Sequence, residues 1–148
     1  SGCRALHRKA RAKPQCSRPM MSDFQDTPCN RWLGFQLVHR SSERVEITQA
    51  VRPEMLQEAG VVQGGLLTAL ADTAAVYLLW PDLGANRSMI GTSVTMQFLS
   101  AAILDDEPLV AIALPLRVGR RVAVCESAIH QGSRMIAKGT FTFLLSTK

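Results

Sequence analysis

The stretch Val61–Trp80, VVQGGLLTALADTAAVYLLW, constrains this chain more than any other. It is apolar nearly throughout and carries a single charge, Asp72. A membrane span needs about 20 apolar residues. This run barely reaches that length and is broken by Gln63, Gly64, Gly65 and Asp72, so a helix buried in a protein core is the better reading. Gly64–Gly65 opens the helix and Pro81 closes it. One apolar helix cannot cover itself, so other elements must wrap it.

The wrapping material is legible in the periodicity. After Asn86 the apolar spacing changes to two, and Met89–Leu99, Leu109–Val118, Arg121–His130 and Met135–Leu145 read as strands. Asp105–Asp106, Gly119 and Gln131–Gly132 supply the turns. Before the helix, Val45, Ile47, Gln49 and Val51 share one parity, forming a half-buried strand between a turn at Ser41–Ser42 and Pro53. Asp23–Phe35, with Phe24, Trp32 and Leu33, reads as a short helix. This order predicts an α+β fold, a curved antiparallel β-sheet wrapped around one long central helix. Such a sheet leaves an edge strand that invites pairing with a second copy.

Length and charge narrow the function classes. The 148 residues suit one domain, and 47% apolar with 20% charged is a globular balance. The net charge is +5, but residues 1–20 hold six bases and no acid; the remainder has 11 bases against 12 acids. The basic surplus therefore belongs to the leader, and no nucleic-acid surface is indicated on the domain. Residues 1–20 read as a basic leader: Arg-rich and acid-poor like a transit peptide, or a cloning scar with translated upstream sequence ahead of Met20–Met21, and largely mobile under either reading. Residues 21–148 read as the domain. The leader has no sustained apolar run, so it is not a secretory signal. A cytoplasmic location without membrane association is expected.

Common catalytic motifs are missing. There is no G-x-S-x-G elbow, phosphate-binding loop, G-x-G-x-x-G or H-E-x-x-H. His7, His39 and His130 are scattered, and Cys3, Cys16, Cys29 and Cys125 lack metal-ligand spacing. No metal and no cofactor are expected. Asp72 is the anomaly, the only charge between Glu58 and Asp82. Buried carboxylates are costly unless paired, and perturbed ones cluster at functional sites; a solvated edge or a nearby amide would also accommodate it. Gly64–Gly65 leaves helix N-terminal N–H groups pointing outward, where they can bind a polarised carbonyl oxygen; the pair would equally serve as a simple strand-to-helix turn. Gly65 and Asp72 are seven residues apart, on one helix face and roughly 10 Å apart along the axis. One carbonyl group can hardly touch both within one chain. Two antiparallel copies of the helix could bring Gly65 of one near Asp72 of the other.

These residues resemble a family. QGGLLTALADTA, Gln63–Ala74, resembles the H-G-G…L-x-D segment of hotdog-fold acyl-CoA thioesterases of the phenylacetate-degradation (PaaI-like) type. GTSVTMQFLSAA, Gly91–Ala102, resembles the strand ending in hydrophobic-L-R-P-A. RVGRRVAV, Arg117–Val124, resembles the x-x-G-R/K-x-x-A strand start, and QGSRMIAKG, Gln131–Gly139, the d-G-k-x-x-A hairpin. The likeness covers about residues 30–145, in the family's order. It implies the hotdog fold, a homodimer or homotetramer, and hydrolysis of acyl-CoA at the dimer interface. It further implies that the Gly65 amide polarises the thioester carbonyl and that Asp72 of the partner chain is nucleophile or general base.

The resemblance also marks departures. The family His is Gln63 here, able to donate and accept but not to titrate. An Asn often found six residues earlier is Gln57. The Ser or Thr at the next strand start is Gly91, with Thr92 adjacent and on the wrong face unless the strand shifts by one. Gln57, Gln63, Gly65 and Asp72 are therefore the expected catalytic residues, and Gly64, Thr92 and Arg120 the expected substrate contacts. Arg120 matches the family's basic position, where the phosphates of CoA call for a basic rim. Arg87, Arg117, Arg121 and Arg134 read first as solvated surface, and Leu66, Val76 and Phe98 as core or acyl pocket. The competing reading is a non-catalytic hotdog module that binds acyl-CoA or another small ligand. A hotdog hydratase fits less well, because the His that it needs five residues after Asp72 is Tyr77.

Overall fold

The computed structural model describes residues 24–147. The basic leader expected over residues 1–20 lies outside them. Four conformational choices near the N-terminus prepare the sheet. Helix α1, Pro28–Leu33, begins on a proline already fixed at a helical φ. Gly34 ends it at φ 73, a left-handed position that glycine occupies without penalty. Strand β1, Phe35–Arg40, turns at Ser41, whose N–H donates to the Arg44 carbonyl, and returns as β2, Val45–Gln49. The expected strand thus ends at Gln49, and Pro53 starts a short 3-10 turn, Pro53–Met55.

The central helix, α2, spans Gly64–Leu79, three residues shorter at its start than the apolar run. Pro81 stops it because the proline nitrogen cannot donate; a 3-10 turn, Trp80–Asp82, follows. Four long strands come next: β3 Arg87–Phe98, β4 Leu109–Val118, β5 Val122–Gln131 and β6 Arg134–Thr147. All pair antiparallel in the order β1-β2-β4-β5-β6-β3. This is the hotdog arrangement, one sheet curved around one helix.

Small residues let the helix settle into the sheet. Ala111, Ala113 and Ala123 of the concave face are fully buried, opposite a helix that buries Leu70, Ala71, Ala74 and Leu78. The helix packs chiefly across β4, β5 and β2, and β3 lies beyond its edge. Consequently the concave-face residues Val94 and Phe98 of β3 stay about half exposed. β6 carries its own close approach at Gly139, where a Cβ would come within 2.8 Å of the Thr95 carbonyl and would collide with the Met96 sulfur. Gly139→Ala is expected to destabilise the domain by about 1–3 kcal/mol through overpacking. The check is a lower urea midpoint with an unchanged m-value.

Candidate active site

Helix α2 is buried on its sheet side, exposed at Gly65 and only half covered along Thr68, Ala69, Asp72 and Val76 of the same stripe, of which Val76 lies beyond the cleft. The first four of these and Gly91–Val94 of β3 line an open cleft of about 540 Å³. Asp72 is its only ionisable side chain. Among the described residues its carboxylate has no hydrogen bond and no ion pair. Burial pushes its pKa above the ordinary 3.8, because the charged form loses water and gains nothing in exchange. The hydroxyls of Thr68 and Thr73 do not compensate, since they donate to the Gly64 and Ala69 carbonyls one turn back.

At the other end of the stripe lies the helix N-terminus. The Gly64 and Gly65 amides have no hydrogen-bond acceptor among the described residues. Two different contacts flank the pair. The Phe98 ring lies where a Cβ on Gly64 would approach within 3.3 Å, so only glycine allows this packing at ordinary distance. The Gln63 side chain folds back beside Gly65: its Oε1 accepts from the Leu66 N–H at 3.1 Å and lies 2.8 Å from where a Gly65 Cβ would sit. Gln63 thereby caps the helix, and its amide stands next to the open Gly65 N–H.

The strand opposite contains the shift that Thr92 needed. Gly91 pairs with Phe143 and Ser93 with Thr142, so β3 bulges by one residue at Thr92. The bulge brings Thr92 into the cleft, although its Oγ1 also donates to the Thr142 carbonyl at 3.3 Å. Ser93 also borders the cleft, but its register opposite Thr142 puts its side chain on the sheet face away from Val94 and Phe141. A glycine inside a strand is a bulge signal, and Gly91 was that signal. Gln57 does not line this cleft: its Oε1 accepts from the Ala59 N–H within its own turn. Of the residues expected to form the acyl pocket, Phe98 instead lines an apolar depression with Val61, Val62, Gly64 and Leu67. Arg120 lies at the β4–β5 turn, away from the cleft.

No group of three or more metal-ligating side chains occurs among the described residues. No helix there is long and apolar enough to cross a membrane. The cleft thus carries a half-buried carboxylate and, about 10 Å along the same helix stripe, the open Gly65 N–H, with Gly64 facing the neighbouring depression; a carboxylate and an N–H are groups able to act on an activated acyl group.

The sign of the Asp72 shift has a stability consequence. A carboxyl pKa raised by folding means that the native state holds the proton better than the unfolded chain. Stability from this group is complete below pH 3.8 and is lost as pH rises through the raised folded value. Asp72→Asn is therefore expected to raise Tm at pH 7, with the gain shrinking as pH falls into the carboxylate range. Thermal unfolding of both proteins across pH 3–8 checks this.

Comparison with known proteins gives the family and the fold. The family model described as "Thioesterase superfamily" matches residues 59–138. A Deinococcus radiodurans protein named "Putative esterase" is 31% identical over 100 residues, which cover 68% of this chain and 65% of that protein. The match thus spans somewhat less than two thirds of that relative's length. Among solved structures, AziG of S. sahachiroi superposes with a TM-score of 0.77 at 24% identity, covering 82% of this chain and 98% of its own. The E. coli PaaI protein from the phenylacetic acid degradation operon superposes with a TM-score of 0.75 at 21% identity, covering 83% and 87%. At these identities the superpositions speak to the fold.

Proposed function

Because the chain belongs to the thioesterase superfamily, we propose that it hydrolyses acyl-CoA thioesters at a site shared by two antiparallel copies. Family membership supports acyl thioester hydrolysis in general. The finer reading rests on one observation, the unpartnered, desolvated Asp72 in the same cleft as the open Gly65 amide.

A second copy is supported by the character of β3. Its outer edge is unpaired over Arg87–Phe98, and Arg87 is its only charge. It carries no proline, lysine or buried inward charge of the kind that protects edge strands. Pairing two β3 strands would extend the sheet and set two half-covered α2 stripes side by side. Gly65 of one copy and Asp72 of the other would then flank one thioester, in a homodimer or a dimer of dimers.

In this reading the Gly65 N–H donates to the thioester carbonyl oxygen and stabilises the charge that develops there. Gln63, which stands where the resemblance has a histidine, steadies the acyl group through its amide. Asp72 then acts in one of two ways. As a nucleophile its oxygen bonds to the acyl carbon, the C–S bond breaks, the thiolate leaves, and water cleaves the resulting anhydride. As a general base it takes a proton from water, hydroxide adds to the carbon, and the thiol departs with the proton. Thr92 is the hydroxyl-bearing residue of β3 on the cleft's border that is able to hold that water.

Asp72→Asn should lower kcat for thiol release by about a thousandfold or more while the fold is kept. An unchanged rate would refute the mechanism. Gly65→Pro removes the N–H in the first turn of the helix, displaces the Gln63 side chain that lies 2.8 Å from where the new Cβ would sit, and should be inactive alone. Co-refolding it with Asp72→Asn should restore activity, since hybrids hold one intact pair; no recovery would place both groups in one chain. The rate–pH profile should have an acid limb above pH 3.8, set by the raised Asp72 pKa. Binding of acyl-CoA without turnover across chain lengths would favour the non-catalytic reading, which Gln63 beside Gly65 motivates.

A further inference from the structure

The helix stops before the sheet does. Pro81 ends α2 at Leu79, while β3 begins at Arg87, β4 runs to Val118 and β6 to Thr147. The concave face is therefore left uncovered beyond the helix C-terminus. Val118 records this: its register partner Ala123 is fully buried on that face, yet Val118 itself is 58% exposed. With it, the buried Leu78, Leu79, Leu83 and Leu145 line a recess of about 300 Å³. Small-molecule sites start at about that volume. The recess shares no lining residue with the Asp72 cleft. Leu79 is about 10 Å along the helix from Asp72, and Arg87 is about 13 Å along β3 from Gly91.

Three polar side chains complete the lining, Ser42, Asp82 and Arg87. Ser42 supplies a hydroxyl from the β1–β2 turn. Asp82 has no charge to spare, because both its carboxylate oxygens accept from Arg40, at 3.1 and 2.7 Å. Arg40 also donates to the Tyr77 and Leu78 carbonyls, at 3.0 and 3.2 Å. It thereby ties the hairpin to the helix end and offsets the negative pole that a helix C-terminus presents. Arg87 is different. Its main-chain N–H closes a turn on the Gly84 carbonyl at 2.9 Å, and its Nη2 donates to the Arg120 carbonyl. The rest of its guanidinium has no acceptor and no ion pair among the described residues. Arg87 stands between the recess and an open groove that it also lines with Arg120 and Arg121. Asp82 is the only acid lining either space. Arg40 cancels it, so the unanswered charge at the recess is positive.

We infer that this recess binds a small aliphatic monocarboxylate, its chain on the leucine floor and its carboxylate on Arg87. Each methylene laid on that floor leaves water, and a carboxylate matches the fork of a guanidinium. A neutral chain would leave Arg87 unanswered, and a bare anion would leave the leucines wet. A cation meets two arginines against one aspartate. The site is additional to the Asp72 cleft and stands whether or not that cleft hydrolyses thioesters.

The full chain is titrated calorimetrically with octanoate and, separately, with octanamide, at pH 7 and low salt with no thioester present. Octanoate should bind saturably, one to a chain. Octanamide keeps the chain and loses the charge, and should bind about tenfold or more weakly. Arg87→Gln should weaken octanoate to the level of octanamide. Val118→Trp fills the recess from an exposed position and should abolish binding of both. Thermal unfolding of the two variants should match the parent, which separates lost binding from lost fold. Asp72→Asn should leave the octanoate affinity unchanged. No saturable binding, or equal affinity for octanoate and octanamide, overturns the site. Binding untouched by Val118→Trp overturns it by placing the ligand elsewhere. Tighter octanoate binding in Asp72→Asn overturns it by placing the ligand in the cleft, where that carboxylate repels it. Failure of the hydrolytic reading shows in thiol release and leaves these titrations as they are.

Discussion

Burial of α2 against the alanine-rich floor of β4 and β5 is the contact on which everything else depends. A helix that is apolar on most of its sides has little face to give to water, so the sheet must curve around it. Ala111, Ala113 and Ala123 set how deeply it sits. Buried Phe141 and Phe143 of β6 pack against the same core, so the curvature continues past the helix. The helix is not wide enough to cover all six strands. The sheet runs out from under it at β3, and that shortfall creates the cleft.

Energetically the cleft is the weak place of the fold, and its chemistry follows from that. An aspartate with no partner on a half-covered helix stripe is a cost to folding, as its raised pKa records. The open amides at Gly64 and Gly65 are a second cost of the same type. Each is a group whose partner is missing from the single chain, and the two are complementary in sign. A carbonyl that becomes negative at one end and an electrophilic carbon at the other would satisfy both. Under the proposed function, stability is given up where reactivity is placed, a common trade in catalytic sites.

Strand β3 joins these features. Its residues Gly91–Val94 line the cleft, its bulge falls at Thr92 within that stretch, its outer edge is free for a second strand, and its first residue lines the groove with Arg120 and Arg121. A strand with so many duties is expected to be poorly covered in one copy, and it is. Val94 and Phe98 remain half exposed although they face the helix side.

Much of this was legible in the sequence, because periodicity and breaker residues act locally. The apolar run from Val61, the alternation after Asn86 and the glycine and proline stops predicted one helix and its sheet within a few residues of the observed ends. Asp72 stood out because a lone charge in an apolar helix needs no structure to look costly. Other matters needed the folded chain. Whether Thr92 faces the cleft turned on a bulge, a property of two strands in register and not of one. Gln57 and Gln63 look alike as letters, yet one closes its own turn and the other caps a helix beside Gly65. Arg87 is 33 residues from Arg120, so no local pattern could gather them into a groove. The sequence by itself determined which residues must be buried and where the chain must turn, since those follow from solvation and backbone freedom residue by residue. Only the tertiary structure decided which polar groups were left facing one another, because that depends on pairing register and on where a helix too narrow for its sheet stops covering it.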